Sequence, residues 1–177
     1  MKLMIASDIH GSQYYCNLLK ERFSEEKADK LLLLGDLLYH GARNPLPRDY
    51  STLGCAEILN SLKEHLLCVR GNCDSEVDQM VLEFPILSEF CFFPLGKRTV
   101  VATHGHKTPA ILNEGDLLLN GHFHVPVFEP RGNYTYVNCG SVSIPKDNSP
   151  HSYLVATETE LVWKDVETGL AFRSEKL

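Results

Sequence analysis

The chain has 177 residues, with 17 Lys and Arg against 23 Asp and Glu, so its formal net charge is −6 when the eight histidines are neutral. Its hydrophobic fraction of 44% and charged fraction of 23% are ordinary for a globular protein and exclude a disordered or fibrous chain. An acidic chain has too few cations to coat duplex nucleic acid through its phosphates. The length suits one compact domain, which we expect to span residues 1–177.

The apolar runs are too short for a signal peptide or a membrane span. The first run, Leu3 to Ala6, ends at Ser7-Asp8, and the later runs are strand-sized. The six cysteines are scattered and form no CxxC pair, which indicates reduced thiols rather than a disulfide framework. We therefore expect a cytoplasmic protein that does not bind membranes.

In the first half of the chain, strand-like runs alternate with helical windows. The strand-like runs are residues 2–7, 30–34 and 66–69. Apolar residues at helical spacing predict helices from Tyr14 to Phe23 and from Ala56 to Leu66. The stretch from His40 to Tyr50 is rich in Gly, Pro, Asn and Arg, which predicts a long loop. This order of elements predicts a parallel sheet with helical crossovers.

The second half consists mainly of strand-like segments, and helical windows are nearly absent from it. These segments are residues 90–95, 99–103, 116–119, 134–137, 153–156 and 161–166. The change of pattern predicts a second, largely antiparallel sheet stacked on the first. Together the halves predict the α/β (α+β) class, as a four-layer α-β-β-α sandwich of two stacked mixed β-sheets flanked by helices.

Five predicted strands are followed at once by side chains that can bind metal ions. The five fragments are Asp8-Ile9-His10, Gly35-Asp36, Gly71-Asn72, His104-Gly105-His106 and Gly121-His122-Phe123-His124. Strand ends in a layered α/β fold converge on one edge, where ligands usually bind. Carboxylate, imidazole and amide groups without thiolate suit Mn²⁺, Fe, Zn²⁺ or a pair of such ions. Each fragment alone is a weak signal, but their shared position predicts one metal cluster.

This series of motifs resembles the signature of the calcineurin-like metallophosphoesterase superfamily. The match runs from Asp8 to His124, and Asn138-Cys139-Gly140-Ser141 is similar to a turn found in many small bacterial members. The segments 6–12, 69–80 and 140–146 resemble the YfcE-type group of bacterial phosphodiesterases. The resemblance implies the metallophosphatase fold and a dimetal phosphoric diester hydrolase of the EC 3.1.4 type.

The resemblance also implies which residues bind two divalent ions. One ion would be held by Asp8, His10, Asp36 and His124, and the other by Asp36, Asn72, His104 and His122. Mn²⁺ is the expected metal, with Fe, Co²⁺, Zn²⁺ and Ni²⁺ as alternatives. A pair of ions bridged by Asp36 would supply the hydroxide that attacks a phosphate diester. Asp36 and Asn72 are therefore catalytic candidates as well as ligands.

Cys73 is a departure from the superfamily, because many members have at this position a histidine that assists the reaction. A neutral thiol is a weak hydrogen-bond donor and carries no charge, which favours substrates with good leaving groups. Cys73 is a candidate for catalysis and for substrate contact, with an inert residue of the site wall as the alternative. His106 is a further catalytic candidate, with support of a ligand histidine as the alternative.

Candidates for substrate contact also lie outside the ligand set. They are His40, Arg43 and Asn44 in the long loop, and Arg70 directly before Gly71-Asn72. The alternatives are a solvated loop and, for Arg70, a surface ion pair. We expect a small phosphorylated substrate, and exposed apolar residues around Phe90–Phe93 would suit a homo-oligomer.

Two other functions stay open at this point. The same fold resembles the scaffold subunit of retromer, in which the site has degraded and surfaces bind other proteins; Cys73 would be a step in that direction. A phosphomonoesterase would use the same site. The complete ligand set favours an enzyme, and the absence of a histidine after Asn72 favours diesters.

Overall fold

The described residues form eleven strands and three α-helices. The computed structural model describes residues 1–109 and 111–177. In chain order the elements are β1 (Leu3–Ala6), α1 (Gln13–Glu26), β2 (Lys30–Leu33), α2 (Thr52–Asn60), a 3-10 turn (Lys63–His65), β3 (Leu66–Cys68), α3 (Glu76–Gln79), β4 (Cys91–Leu95), β5 (Arg98–Ala102), β6 (Leu117–Asn120), β7 (Pro126–Arg131), β8 (Tyr134–Cys139), β9 (Ser152–Ala156), β10 (Glu160–Asp165) and β11 (Ala171–Lys176).

The strands form two mixed sheets, which confirms the predicted fold class. The first sheet has the order β11-β10-β9-β1-β2-β3, in which β1, β2 and β3 are parallel and the other pairs are antiparallel. The second has the order β4-β5-β6-β8-β7, with β5, β6 and β8 parallel and antiparallel strands at both edges.

Two details of the predicted second sheet are wrong. The sheet is not largely antiparallel: β6 is buried along its whole length between two parallel neighbours, and a continuous apolar run is typical of such a strand. Segments 153–156 and 161–166 belong to the first sheet, where β9 pairs with β1. The sequence also did not predict β7 and β11, since their partly exposed, polar residues form no apolar run.

The sandwich has two main cores because residues alternate along its central strands. In β1, Leu3 and Ile5 face the second sheet and join a cluster that contains the fully buried Trp163. Met4 and Ala6 face the opposite way, toward α1 and α2. Both faces of β1 are therefore covered, which explains its uninterrupted apolar sequence.

Helices flank the sandwich sparsely. The helices α1 and α2 pack on the first sheet, and no described residue after Gln79 is helical. The outer face of the second sheet carries a small cluster of Val101, Leu118 and Tyr136, against which loop residue Leu112 packs.

The longest helix, α1, has 14 residues, and none of the helices in the described part of the chain is long and apolar enough to cross a membrane. All six cysteines are free thiols, four of them buried, as their scattered positions predict.

Candidate metal centre

Backbone hydrogen bonds beyond the ends of β1 and β2 bring the first motifs together. The Asp8 N–H donates to the Gly35 carbonyl at 3.1 Å, and the His10 N–H to the Asp36 carbonyl at 2.9 Å. The next strand end approaches just as closely at Gly71, where an added Cβ would lie 2.1 Å from Asp36 Oδ1. Glycine is therefore required at this position by its small size.

Several site residues have a left-handed backbone. Of the nine described non-glycine residues with positive φ, five are Asp8, His10, Asp36, His122 and His124, with φ between 49° and 67°. Such a conformation costs an L-residue on the order of 1 kcal/mol. Strain of this kind concentrates at functional sites, where the surrounding structure holds it in place.

The side chains of these residues point into one buried cluster. Asp8 Oδ1 lies 3.5 Å from His10 Nε2 and 3.3 Å from His124 Nε2. Asp36 Oδ2 lies 3.4 Å from His104 Nε2 and 3.6 Å from His10 Nε2. Asp36 is therefore close to both halves of the predicted ligand set.

Asn72 and His122 complete the convergence. Asn72 Oδ1 and His122 Nδ1 lie 3.0 and 3.2 Å from His104 Nε2. The His122 N–H also donates to Asp8 Oδ2 at 2.9 Å. All seven residues predicted as ligands thus meet at one edge of the sandwich.

Three histidines are oriented by backbone carbonyls. The Nδ1 atoms of His10, His104 and His124 lie 2.8, 2.6 and 2.7 Å from the carbonyl oxygens of Tyr39, Leu34 and Ile144, respectively. A carbonyl only accepts hydrogen bonds, so Nδ1 carries a hydrogen and Nε2 is the ring nitrogen that faces the cluster. This is the arrangement commonly found for histidines that bind metals.

The polar atoms of the cluster fit a cation. Asp8 Oδ1 and His10 Nε2 are buried and have no hydrogen-bond partner among the described residues. Buried acceptors of this kind are costly unless something binds them, and two carboxylates, four imidazoles and an amide oxygen form a donor set for divalent metals.

The electrostatics of the cluster favour ionised carboxylates. Burial raises the pKa of Asp36, but the hydrogen bond and the charge of His104, together with the Cys73 N–H, outweigh it and leave the pKa below its usual range. Burial likewise raises the pKa of Asp8, and His10 and His124 together bring it well below the ordinary value. Burial lowers the pKa of His104, but Asp36 and Asp8 raise it to about 9.

Three polar residues that the sequence did not place in the ligand set hold its backbone. Asp74 accepts hydrogen bonds from the N–H groups of Asp36, Leu37 and Gly71 at 2.7 to 2.9 Å. The hydroxyls of Ser141 and Ser143 donate to the Asp8 carbonyl at 2.9 and 3.0 Å. Asp74 therefore supports the backbone that carries Asp36, and Ser141 of the Asn138–Ser141 turn supports Asp8.

A cavity of about 870 Å³ opens over the cluster. Arg43, Asn44 and Cys73 line it, and their contact with a substrate stays a prediction. Asn72 Nδ2 donates to Cys73 Sγ at 3.3 Å. Burial and the nearby Asp36 carboxylate raise the pKa of Cys73, so these side chains favour its neutral thiol.

His40 and Arg70 are not among the described residues that line this cavity, so their contact with a substrate stays a prediction. The His40 ring packs edge-on against Tyr39 and Tyr50. Arg70 Nη1 pairs with Glu76 at 3.2 Å, and its Nε donates to the Asp74 carbonyl. Arg70 thus forms a surface ion pair, which was its alternative interpretation, and its contact with a substrate stays a prediction.

His106 lies beside the cluster without lining the cavity. Its side chain is exposed, and its ring centroid is 5.4 Å from that of His104. Burial and the charge of His104 lower the pKa of His106. A catalytic role for His106 stays a prediction.

Sequence reasoning did not single out five residues that line the cavity: Tyr39, Gly41, Ala42, Phe123 and Lys146. Phe123 is 54% exposed although it stands between two buried or half-buried histidines. A signal for Lys146 was its place at the end of the 140–146 motif, although no role was drawn from it.

Residues 1–160 match the family model of the calcineurin-like phosphoesterase superfamily domain. The chain therefore belongs to the calcineurin-like phosphoesterase superfamily, and its fold implies divalent metal ions at the cluster. It is 49% identical over 158 residues to phosphodiesterase YfcE of Escherichia coli K12, and the alignment covers 86% of this chain and 85% of that protein. A solved structure of Yfce, described as a phosphoesterase from E. coli, superimposes with a TM-score of 0.93, at 43% identity over 99% of this chain and 98% of that one.

A more distant likeness concerns the fold alone. Vacuolar protein sorting 29 from Cryptosporidium parvum matches with a TM-score of 0.65 at 15% identity, over 99% of this chain and 97% of that chain. The architecture is thus shared with a protein of quite different sequence.

Proposed function

We propose that this chain is a metal-dependent phosphodiesterase acting on a small phosphate diester. The observation that carries the proposal is that Asp8, His10 and Asp36 lie together in a buried cluster. In this cluster Asp8 Oδ1 and His10 Nε2 have no hydrogen-bond partner among residues 1–109 and 111–177. The 49% identity to a phosphodiesterase supports the diester as substrate class.

The proposed ligands are Asp8, His10, Asp36 and His124 for one ion and Asp36, Asn72, His104 and His122 for the other. Two divalent ions would lower the pKa of a water molecule and neutralise charge on the phosphoryl oxygens. We favour Mn²⁺, with Fe, Co²⁺, Zn²⁺ and Ni²⁺ as alternatives, because a mixed oxygen and nitrogen donor set accepts all of them.

The side chains have distinct tasks in this proposal. Asp36 would serve as a ligand of both ions, and its Oδ1 accepts from the Cys73 N–H at 2.8 Å, which restrains the carboxylate. Asn72 supplies a neutral oxygen, so the second ion remains a stronger Lewis acid. Arg43, Asn44 and Cys73 contact the substrate, and a neutral thiol at position 73 suits esters with good leaving groups.

We further propose that residues 1–177 act as one cytoplasmic domain. The family match over 1–160 and the core shared by both sheets support a single unit, and six free thiols suit a reducing compartment. Assembly into a homo-oligomer through the edge strand β4 is supported by Phe92, which is 61% exposed. Analytical ultracentrifugation of Phe92→Ser against the parent chain tests that assembly.

The decisive experiment is hydrolysis of bis(4-nitrophenyl) phosphate with and without a chelator. EDTA should abolish turnover, and Mn²⁺ in excess should restore it. Turnover indifferent to EDTA would contradict the mechanism. Comparison with 4-nitrophenyl phosphate tests the phosphomonoesterase alternative, since a monoester hydrolysed faster than the diester would reverse the assignment.

A protein-binding scaffold is the second candidate, because a vacuolar sorting protein has the same fold. A scaffold has no physical need for buried acceptors at Asp8 and His10 that lack a partner in the described part of the chain, because they cost stability unless a cation binds them. A purified chain that binds no Mn²⁺ and hydrolyses neither ester would favour the scaffold.

A further inference from the structure

The rim of the metal cavity is cationic, although the chain as a whole is acidic. Arg43 and Lys146 line the cavity, and Asp36 is the one carboxylate among the described lining residues. Within residues 1–109 and 111–177, neither cation forms an ion pair with an acidic side chain. The carboxylates of the cluster contact histidines instead, so the two cations do not serve to neutralise them.

The loop that carries Arg43 is fixed to one side of the cluster. The Tyr39 carbonyl accepts from His10 Nδ1 at 2.8 Å. Asn44 closes the loop: its N–H donates to the Gly41 carbonyl at 3.1 Å and its Nδ2 to the His40 carbonyl at 2.8 Å. The backbone around Arg43 is therefore positioned relative to the metal centre.

The loop that carries Lys146 is fixed in the same way to another histidine. The Ile144 carbonyl accepts from His124 Nδ1 at 2.7 Å, and the Lys146 N–H donates to the His124 carbonyl at 3.2 Å. Ser149 Oγ donates to the Lys146 carbonyl at 2.7 Å and tightens the turn. Both cations thus stand on loops that are tied to proposed ligands.

Counting charges shows that the two cations exceed what a simple diester needs. Two divalent ions bring +4, and Asp8 and Asp36 bring −2, which leaves +2. A deprotonated nucleophile and a singly charged diester cancel that remainder. Arg43 and Lys146 then add +2 without a counterpart, and a phosphomonoester group carries close to −2 at pH 7.

We propose that the natural substrate carries a second phosphoryl group, not itself cleaved, which Arg43 and Lys146 bind while the diester occupies the metal centre. This inference rests on the proposed function, because the diester must lie at the cluster for the rim to reach the second group. The cavity of about 870 Å³ is in the range that holds a whole small ligand. Tyr39 and Phe123 supply apolar surface for the organic part between the two phosphates.

Binding of two simple phosphates to the Mn²⁺-loaded protein tests the inference by calorimetry. The probes are ethyl phosphate and ethane-1,2-diyl bisphosphate, which differ by one phosphoryl group. We expect the bisphosphate to bind about tenfold more tightly than ethyl phosphate. A symmetric ligand with two equivalent groups gains a factor of two by statistics alone, so only a ratio clearly above two indicates a second binding group. The expected gain is modest because exposed charge pairs each contribute little. A ratio of about two in the parent chain would overturn the inference.

Substitutions at the rim test whether Arg43 and Lys146 cause the tighter binding of the bisphosphate. In the double variant Arg43→Gln and Lys146→Gln, the affinity ratio should fall to about two. Lys97→Gln, at an exposed lysine that lines a different cavity, should keep the parent ratio. A ratio that survives in the double variant, at unchanged Mn²⁺ content and unfolding temperature, would also overturn the inference.

The same preparations separate this inference from the proposed function. Hydrolysis of bis(4-nitrophenyl) phosphate with a bisphosphate ratio of about two would refute the second phosphoryl group and leave the phosphodiesterase intact. Absence of any metal-dependent diester hydrolysis would refute the proposed function, and the inference would fall with it.

Discussion

The buried cluster and the exposed rim of the same cavity are built in opposite ways. In the cluster, side chains such as Asp8 and His10 are buried, lie on left-handed backbone and are restrained by hydrogen bonds. At the rim, Arg43 and Lys146 are exposed and end in charged groups without an acidic partner among the described residues. Backbone geometry thus sets the positions of the metal-binding atoms, whereas the long side chains of Arg43 and Lys146 can change conformation when a substrate binds.

Substitution of the bridging residue should have the largest effect. Asp36→Asn removes the charge near both proposed ion positions, so Mn²⁺ content should fall and diester turnover should drop by roughly a thousandfold or more. Asp49→Asn is the matched control, because Asp49 is exposed and has a similar φ of 49°. Metal analysis that finds unchanged Mn²⁺ in Asp36→Asn would refute the bridging role.

The second-largest loss of turnover is expected from a substitution that changes the backbone spacing but removes no proposed metal ligand. In Gly71→Ala the new Cβ would collide with Asp36 Oδ1 and with Asp36 N, at 2.1 and 2.3 Å. The strand ends must then separate, and we expect turnover to fall about a hundredfold. Gly132→Ala meets no atom within 4 Å and suffers only its positive φ of 63°, so it should lose stability but not turnover. Equal turnover in both variants would contradict this packing argument.

Removal of a supporting charge should have an intermediate effect. In Asp74→Asn one of the two acceptor oxygens is replaced by an NH2 group, which cannot accept a hydrogen bond. At least one of the three N–H groups that now donate to Asp74 then loses its acceptor. The expected loss is about 1–3 kcal/mol of unfolding free energy and roughly tenfold in turnover, measured by urea unfolding and by diester assays. Asp165→Asn, in a turn remote in sequence from the site motifs, is the control, and a similar loss there would remove the special role of Asp74.

The smallest effect is expected at Cys73. A neutral thiol is a weak donor, so Cys73→Ala should lower turnover of bis(4-nitrophenyl) phosphate by less than about threefold. Steady-state kinetics at saturating Mn²⁺ measures this change. A loss of a hundredfold or more would instead make the thiol a direct participant in the reaction.

The difference between the buried cluster and the exposed rim also explains which site residues could be predicted from the sequence. Asp8, Asp36 and His104 follow apolar runs, and because strand ends converge, their meeting at one edge could be predicted from order alone. Arg43 and Asn44 were found through the composition of their loop. Lys146 was missed because its position depends on the hydrogen bonds of a turn to His124, which leave no periodic signal.

The fold, like the site, was predicted in part. Buried strands such as β1 and β6 have continuous apolar sequences and were recognised, whereas the partly exposed β7 and β11 were not. The place of β9 and β10 in the first sheet could not be predicted, because it depends on the pairing of β9 with β1, which joins residues that are far apart in the sequence. The contacts of His40 and Arg70 could not be predicted for a related reason, because ring packing and an ion pair between residues of different segments decide their orientation.

The most direct test of the central claim is a titration of the chelator-stripped protein with Mn²⁺, followed by calorimetry and by hydrolysis of bis(4-nitrophenyl) phosphate in parallel. The account predicts that turnover is absent at the start, rises with bound metal and saturates at two ions per chain. Turnover before any metal is added, or saturated binding of Mn²⁺ without diester hydrolysis, would contradict it.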